Sequence, residues 1–388
     1  MAEPTASRTM PPKANKNQRL MPNPGVNHRT SWRIPFEYAV CDLGSLTGLS
    51  VAVINAVVNH GKVHCPVFTP PSIIAGMKTF VAVDVGGTHI RTASYASDSI
   101  EPVKHNRIRS YAETPGVYNR LVQAIETVWP PDHQVMSIGM ASPGPLDPHT
   151  GVILSTPNIK EWVNFPLTEK LSEHFGVPAY LDNDANLAAL GEWKFGAGIG
   201  HHDLLYLTIS TGIGGGVIIN DRLLHGYHGL AAELGHVTVL ADGPLCSCGF
   251  PGHIEALASG PSIVGYVSEM LAGSTSSELR GVDPLGAQTV AEAARRGDAL
   301  AISAYARAGK YLGIAVASFL HVFDPSIVVF GGGVSQSGKL LFEPFEESLH
   351  RHVIHPRYLE NLVITTATLG DDAGLLGALA LAHVKQLE

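Results

Sequence analysis

Three times along this chain a short apolar run stops at a cluster of glycines. Phe80 to Val85 leads into Gly86-Gly87, and Leu204 to Ile209 leads into Ser210-Thr211-Gly212-Ile213-Gly214-Gly215-Gly216. Ile327 to Phe330 leads into Gly331-Gly332-Gly333. Short apolar runs bounded by turn formers read as buried strands. Glycines at their ends leave backbone N–H groups uncovered, and such groups bind phosphate oxygens closely because no side chain intervenes. One cluster alone is an ordinary tight turn. Three, each after a buried type of strand, point to phosphate binding, although there is no Walker sequence and no G-x-G-x-x-G opening a helix.

Two further runs extend the pattern: Val135 to Met140, ending in Ala141-Ser142-Pro143-Gly144, and Ala179 to Leu181, running into Asp182-Asn183-Asp184. Helical segments lie between, over Ala185 to Phe195 and Ala299 to Phe319. Strands alternating with helices define layered α/β lobes. Val81 to Thr88 and Leu207 to Gly216 share one pattern of strand, Gly-rich turn and strand, so each is expected to begin a lobe of a duplicated fold.

Residues 1–76 read differently. Met1 to Trp32 is polar, rich in Pro, Asn and basic residues and without hydrophobic period, and is expected to be disordered. Met77 leads straight into a strand, so the leader reads as an appendage or as a start assigned too far upstream. Leu46-Thr47-Gly48-Leu49-Ser50, followed by Val53, Ile54, Val57 and Val58, is faintly similar to a helix-turn-helix. No basic residue stands between Ser50 and His60, and the gap from Val63 to Val81 is too short for a wing and linker, so DNA binding is not expected. The net charge of -8 argues the same way, since non-specific nucleic-acid binding runs on Lys and Arg. No apolar run approaches the roughly 20 residues of a membrane span. Four cysteines are too few for a disulfide framework in 388 residues, and a reducing cytoplasmic setting is expected.

Two cysteines are placed for other work. His236, Cys246, Cys248 and His253 give H-x9-C-x-C-x4-H, with Gly and Pro around the cysteines and no helix or strand pattern. Four thiolate and imidazole donors in a loop suit a closed structural zinc site. Glu233 and Glu255 flank this knuckle, and Asp84 follows the first strand, where a carboxylate can help hold Mg²⁺. Asp182, Asn183 and Asp184 stand at a strand-to-helix junction, where such residues serve either as N-caps or as a general base for a hydroxyl.

Together these residues resemble the ROK family of sugar kinases and repressors, from Phe80 to the C-terminus. Asp84-Val85-Gly86-Gly87-Thr88 is similar to the family's first phosphate motif and Thr211-Gly212-Ile213-Gly214-Gly215-Gly216 to its second. Asp182-Asn183-Asp184-Ala185-Asn186 is similar to the catalytic segment. Glu233-Leu234-Gly235-His236 with Cys246 to Glu255 resembles the zinc- and sugar-binding signature, and Gly331-Gly332-Gly333 the adenosine-side loop. The resemblance implies an actin-like ATPase (ribonuclease H-like) fold, an α/β fold of two lobes with the active-site cleft between them. It places residues 77–188 with 380–388 in a small lobe and 189–379 in a large one carrying the zinc knuckle.

The resemblance further implies an ATP-dependent kinase with Mg²⁺ and a structural Zn²⁺, acting on a free hexose, glucose first. Asp184 would be the base. Asn183, Glu233, His236, Glu255 and Asn158 would bind the sugar. Asp84, Gly86, Gly87, Thr88, Thr211, Gly212, Gly214, Gly215, Gly332 and Gly333 would serve the nucleotide. His236, Cys246, Cys248 and His253 would hold zinc, with His253 where the family usually has a third cysteine, and His89 stands at a variable position. N-acetylmannosamine or fructose as substrate, polyphosphate as donor, and a non-catalytic sugar-responsive regulator stay open. A homodimer or tetramer is implied, with neither nucleic acid nor membrane as partner.

Overall fold

A computed structural model describes residues 78–111, 116–131, 134–156 and 159–385. The readings made for the leader, and for Asn158, lie outside the described residues. In chain order the first part comprises β1 (Lys78–Val85), β2 (His89–Ala96), β3 (Pro102–Arg109), α1 (Val117–Val128), β4 (Gln134–Ser142), β5 (Leu146–Asp147) and β6 (Val152–Ile153). It ends with α2 (Leu167–Phe175), β7 (Ala179–Asn183) and α3 (Asp184–Phe195). The second part begins with β8 (Leu204–Ile209), β9 (Ile213–Ile219) and β10 (Arg222–Leu223), followed by α4 (Glu255–Ala258), α5 (Gly260–Ala272), α6 (Ala287–Arg295) and α7 (Ala299–Phe323). It closes with β11 (Ile327–Gly331), α8 (Lys339–His352), β12 (Val363–Thr366) and α9 (Ala373–Val384).

The strands form two five-stranded sheets of the same plan. The first has the order β3-β2-β1-β4-β7 and the second β10-β9-β8-β11-β12. In each, a leading antiparallel meander is extended on its other edge by two parallel strands. This is the duplication that the paired strand–glycine–strand patterns lead one to expect. Alternation along β8 assigns the faces: Leu204 and Tyr206 point towards the middle of the molecule, and Leu205, Leu207 and Ile209 towards an outer core built with α4 to α8. The outer face of the first sheet packs on α1 and α2 through Val81, Val83, Leu121 and Leu171.

Between the sheets lie α3 and α9. Neither has a polar face: Ala185 to Trp193 are all buried, and α9 reads Ala-Gly-Leu-Leu-Gly-Ala-Leu-Ala-Leu-Ala. A helix that is apolar on all sides belongs in a core. The two cross almost backbone on backbone. A Cβ added to Gly377 would lie 1.8 Å from the Leu187 carbonyl oxygen, and one on Gly191 would lie 2.8 Å from that of Ala373. The lobe boundaries expected near 188 and 380 thus fall inside two continuous helices that serve both sheets.

Glu192 on α3 is fully buried and fully satisfied. Its oxygens accept hydrogen bonds from the amides of Ala197, Thr368 and Leu369 and from the Thr368 hydroxyl, at 2.8–3.1 Å. A buried carboxylate is tolerated only when so paired, and here it ties α3 to the segment that enters α9. No helix among the described residues is long and apolar enough to cross a membrane.

Candidate functional site

A polar pocket opens where the two sheets face each other, lined by Gly144, Asn183, Asp184, Gly215, Ala231 and Glu233 among others. Its floor is the β7–α3 junction. Asn183 caps α3, its Oδ1 accepting from the amides of Ala185 at 2.9 Å and Asn186 at 3.4 Å. The cap uses only the carbonyl end of that side chain, and Nδ2 faces Gly144. Asp184 is the first residue of α3, and its Oδ1 accepts from the Ala185 amide at 2.8 Å.

The electrostatics at Asp184 are unusual. The residue is exposed at the cleft, but protein packed around its carboxylate makes the charge costly. That desolvation, with Asp84 two strands away on the same sheet and, more weakly, Glu233, pushes the pKa up to about 6, against the opposing pull of the Ala185 N–H. A carboxylate so tuned is anionic at neutral pH and still basic enough to take a hydroxyl proton.

The glycine clusters divide by role. Gly86, Gly87 and Thr88 form the turn between β1 and β2, tied by Gly86 N–H to the His89 carbonyl at 2.8 Å and by the Ser110 hydroxyl to the Gly86 carbonyl at 2.6 Å. In the second cluster only Ser210 to Gly212 turn. Gly214, Gly215 and Gly216 lie within β9, where their missing side chains let the strand sit against α3: a Cβ on Gly214 would lie 2.9 Å from that of Ala185, and one on Gly216 2.5 Å from that of Ala189. Gly332 takes a φ of 82° and would collide with the Ile209 backbone if it carried a side chain, whereas Gly333 faces open space.

Asp84 is not a free carboxylate. Arg91, two strand positions past the turn, holds its Oδ2 through Nε at 3.0 Å and through a terminal nitrogen. Sequence reasoning passed over Arg91, whose partner follows only from the β1–β2 register pairing Asp84 with Arg91. It also passed over Arg107, which stands 3.4 Å from His89 Nδ1 and brings a cation beside the first turn.

The zinc candidates come together. The donor atoms of His236, Cys246, Cys248 and His253 all lie within 4.8 Å of one another. His236 Nδ1 is 3.7 Å from Cys246 Sγ, and His253 Nδ1 is 3.2 Å from Cys248 Sγ. Tetrahedral zinc with bonds of about 2.0–2.3 Å sets neighbouring donors roughly 3.5 Å apart, so this donor set fits the metal. The loop is shaped for it by Gly249 and Gly252, both at positive φ. At Gly252 a Cβ would sit 1.6 Å from the Leu240 carbonyl oxygen.

Glu233 immediately follows Ala232, whose φ of 66° is a left-handed conformation that costs a non-glycine residue roughly 1 kcal/mol. Glu255, the first residue of α4, joins the metal loop to the second turn. Its Oε2 accepts from the Ile213 amide at 3.0 Å, and its Oε1 from the Ser247 hydroxyl at 2.7 Å and the Cys246 thiol at 3.3 Å. Burial pushes its pKa up, but the bonds from Ser247, Ile213 and Cys246 and the nearby His236 outweigh it, so the net shift is downward.

The fold and the site together define a protein of the actin-like ATPase fold, with two duplicated α/β halves over a polar cleft. Within that class the chain belongs to the ROK family, whose model matches residues 80–385. It is 36% identical over 316 residues to a glucokinase of Thermotoga maritima, covering 78% of this chain and 96% of that one. A ROK family glucokinase from Streptomyces griseus, solved in complex with glucose and AMPPNP, superposes with a TM-score of 0.65 at 34% identity, covering 79% of this chain and 99% of that one. A ROK family transcriptional regulator, a homologue of the Escherichia coli Mlc protein, superposes with a TM-score of 0.72 at 26% identity, covering 79% and 78%.

Proposed function

We propose that this chain is an ATP-dependent hexokinase that transfers the γ-phosphoryl group of ATP to the 6-hydroxyl of glucose. The observation that carries the reading is Asp184, a carboxylate at a helix N-terminus on the floor of a polar pocket, with its pKa raised to about 6. The glucokinase relatives, including one solved with glucose and a nucleotide analogue, supply the substrate class.

In this reading Asp184 accepts the hydroxyl proton as the hydroxyl attacks in line. Asn183 through its free Nδ2, Glu233, His236, Glu255 and Asn158 hold the ring hydroxyls. His236 has Nδ1 turned to the metal cluster, which leaves Nε2 for sugar. The amides of 86–88 and 211–212 neutralise phosphate charge, with Gly332 and Gly333 on the adenosine side. Gly214 and Gly215 contribute as the pocket wall. Mg²⁺ when bound would offset charge on the phosphates, with Asp84 as its protein anchor beside Arg91. Zinc on His236, Cys246, Cys248 and His253 would shape the sugar-binding loop and supply no chemistry of its own. A cytoplasmic homo-oligomer is part of the proposal.

A second reading, a sugar-binding regulator without turnover, is favoured by the likeness to the Mlc homologue. A coupled ADP-release assay with ATP, Mg²⁺ and glucose, fructose and N-acetylmannosamine separates the two, with polyphosphate as an alternative donor. Turnover is expected with glucose, both for the full chain and for a chain starting at Met77. Asp184→Ala is expected to lose at least about 10³-fold in kcat while sugar binding is largely kept. Sugar binding without turnover in the wild type would place the protein with the regulators, and near-normal kcat in Asp184→Ala would remove it as the base.

A further inference from the structure

Two residues before Asp184, at the end of β7, the carboxylate of Asp182 is 1% exposed and meets three donors. Oδ1 accepts from the Asn183 amide at 2.7 Å and from Asn186 Nδ2 at 3.0 Å, both local to the β7–α3 junction. The third donor is distant in sequence and comes from the other sheet's side of the molecule. His225 Nε2 lies 2.6 Å from Asp182 Oδ2, so that nitrogen carries the hydrogen facing the carboxylate.

His225 follows β10 and opens the segment that runs through Gly229 to Glu233, and that stretch walls the pocket opposite Asp184. Within the segment the Ala231 amide donates to the His225 carbonyl at 3.0 Å and Gly229 is buried against Pro148, while Tyr227 is 92% exposed. His225 itself is about a quarter exposed, with the ring of His149 packed edge-on at 5.9 Å between centroids. One end of this wall is thus fixed to the same carboxylate that braces the turn bearing Asp184.

We propose that Asp182 and His225 are a positioning pair. Their hydrogen bond docks the 225–233 segment on the catalytic turn and sets the spacing between Asp184 and the sugar-facing wall that ends in Glu233. The proposal rests on the hexokinase reading, because it deepens the account of that same pocket. Neither residue touches a reacting atom in it. A short charge-assisted hydrogen bond with one buried partner is strong enough to do this, and its loss misplaces a substrate wall more than it unfolds a domain.

The test uses full-chain His225→Ala, His225→Gln and Asp182→Asn, with the double variant of His225→Ala and Asp182→Asn. Steady-state kinetics are read alongside hydrogen exchange at the amides of 229–233 and the dissociation constant for glucose by calorimetry without ATP. His225→Ala is expected to raise KM for glucose roughly tenfold, to leave KM for ATP within about twofold, and to speed exchange in 229–233. His225→Gln, whose amide nitrogen can reach the Nε2 position, is expected to restore most of the loss. In the double variant the two effects are expected not to add.

Unchanged glucose affinity with unchanged exchange in His225→Ala would overturn the pairing role. So would a rise in both KM values by the same factor, or a His225→Gln no better than His225→Ala. If the wild type turns over no hexose, the kinase reading fails by itself, and the calorimetric and exchange arms still decide the pair.

Discussion

At the head of α3 the carboxylate of Asp184 meets a helix N-terminus that favours its charge and a setting that opposes it. Desolvation by the protein packed around it and the neighbouring Asp84 win, and the pKa rises to about 6 from an ordinary 3.8. Two consequences have opposite signs. A base must be ionised, so kcat/KM for the sugar is expected to fall as pH drops through about 6, which a pH–rate profile reads directly. Stability runs the other way: the folded state binds this proton more readily than the unfolded chain, so the residue's contribution worsens as pH rises from about 4 through about 6. Asp184→Asn is therefore expected to raise Tm at pH 7.5 and to show no gain at pH 4, measured by scanning calorimetry. Of this residue's surroundings the sequence displayed the junction itself, because Asp182-Asn183-Asp184 after an apolar run is local. It could not display Asp84 as a neighbour, 100 positions away, nor His225 facing Asp182 across 43, since no spacing rule links them.

Among the elements, strands were the most legible. The runs at Phe80, Val135, Ala179, Leu204 and Ile327 all became strands within a residue or two of their apolar limits, because a short continuous apolar run bounded by turn formers is a local signal. The glycines of β9 were harder. Gly214-Gly215-Gly216 reads as a turn in isolation, and only the close packing of α3 makes a strand of glycines sensible. The metal loop was visible through its donors, but the bonds by which Glu255 ties that loop to Ile213 were not. This link gives the loop an expected signature. Cys248→Ser, or a strong chelator on the full chain, should lower zinc content well below one per chain by elemental analysis. Tm should fall, and, on the proposed role of His236 and Glu255 in holding the sugar, KM for sugar should rise more than KM for ATP. Equal effects on both substrates would assign the loop to general stability alone.

For the molecule as a whole, the crossing of α3 with α9 carries both sheets, and it does so with almost no side-chain padding between the helices. Gly377→Ala is expected to cost about 1–3 kcal/mol in denaturant unfolding, since the added methyl meets the Leu187 carbonyl and helices, not a flexible side chain, must shift. Gly200, with open space around it, marks the contrast: the room there is ample, and only its positive φ resists replacement. The crossing also bears on how such a molecule can change over many generations. Where two backbones touch, every mutation adds bulk and none is neutral, so drift is filtered out at the centre. Exposed side chains far from it in the packing, Tyr227 and Ile199 among them, can vary without disturbing it. New surface chemistry would then accumulate at such positions, around a crossing that inheritance keeps nearly fixed.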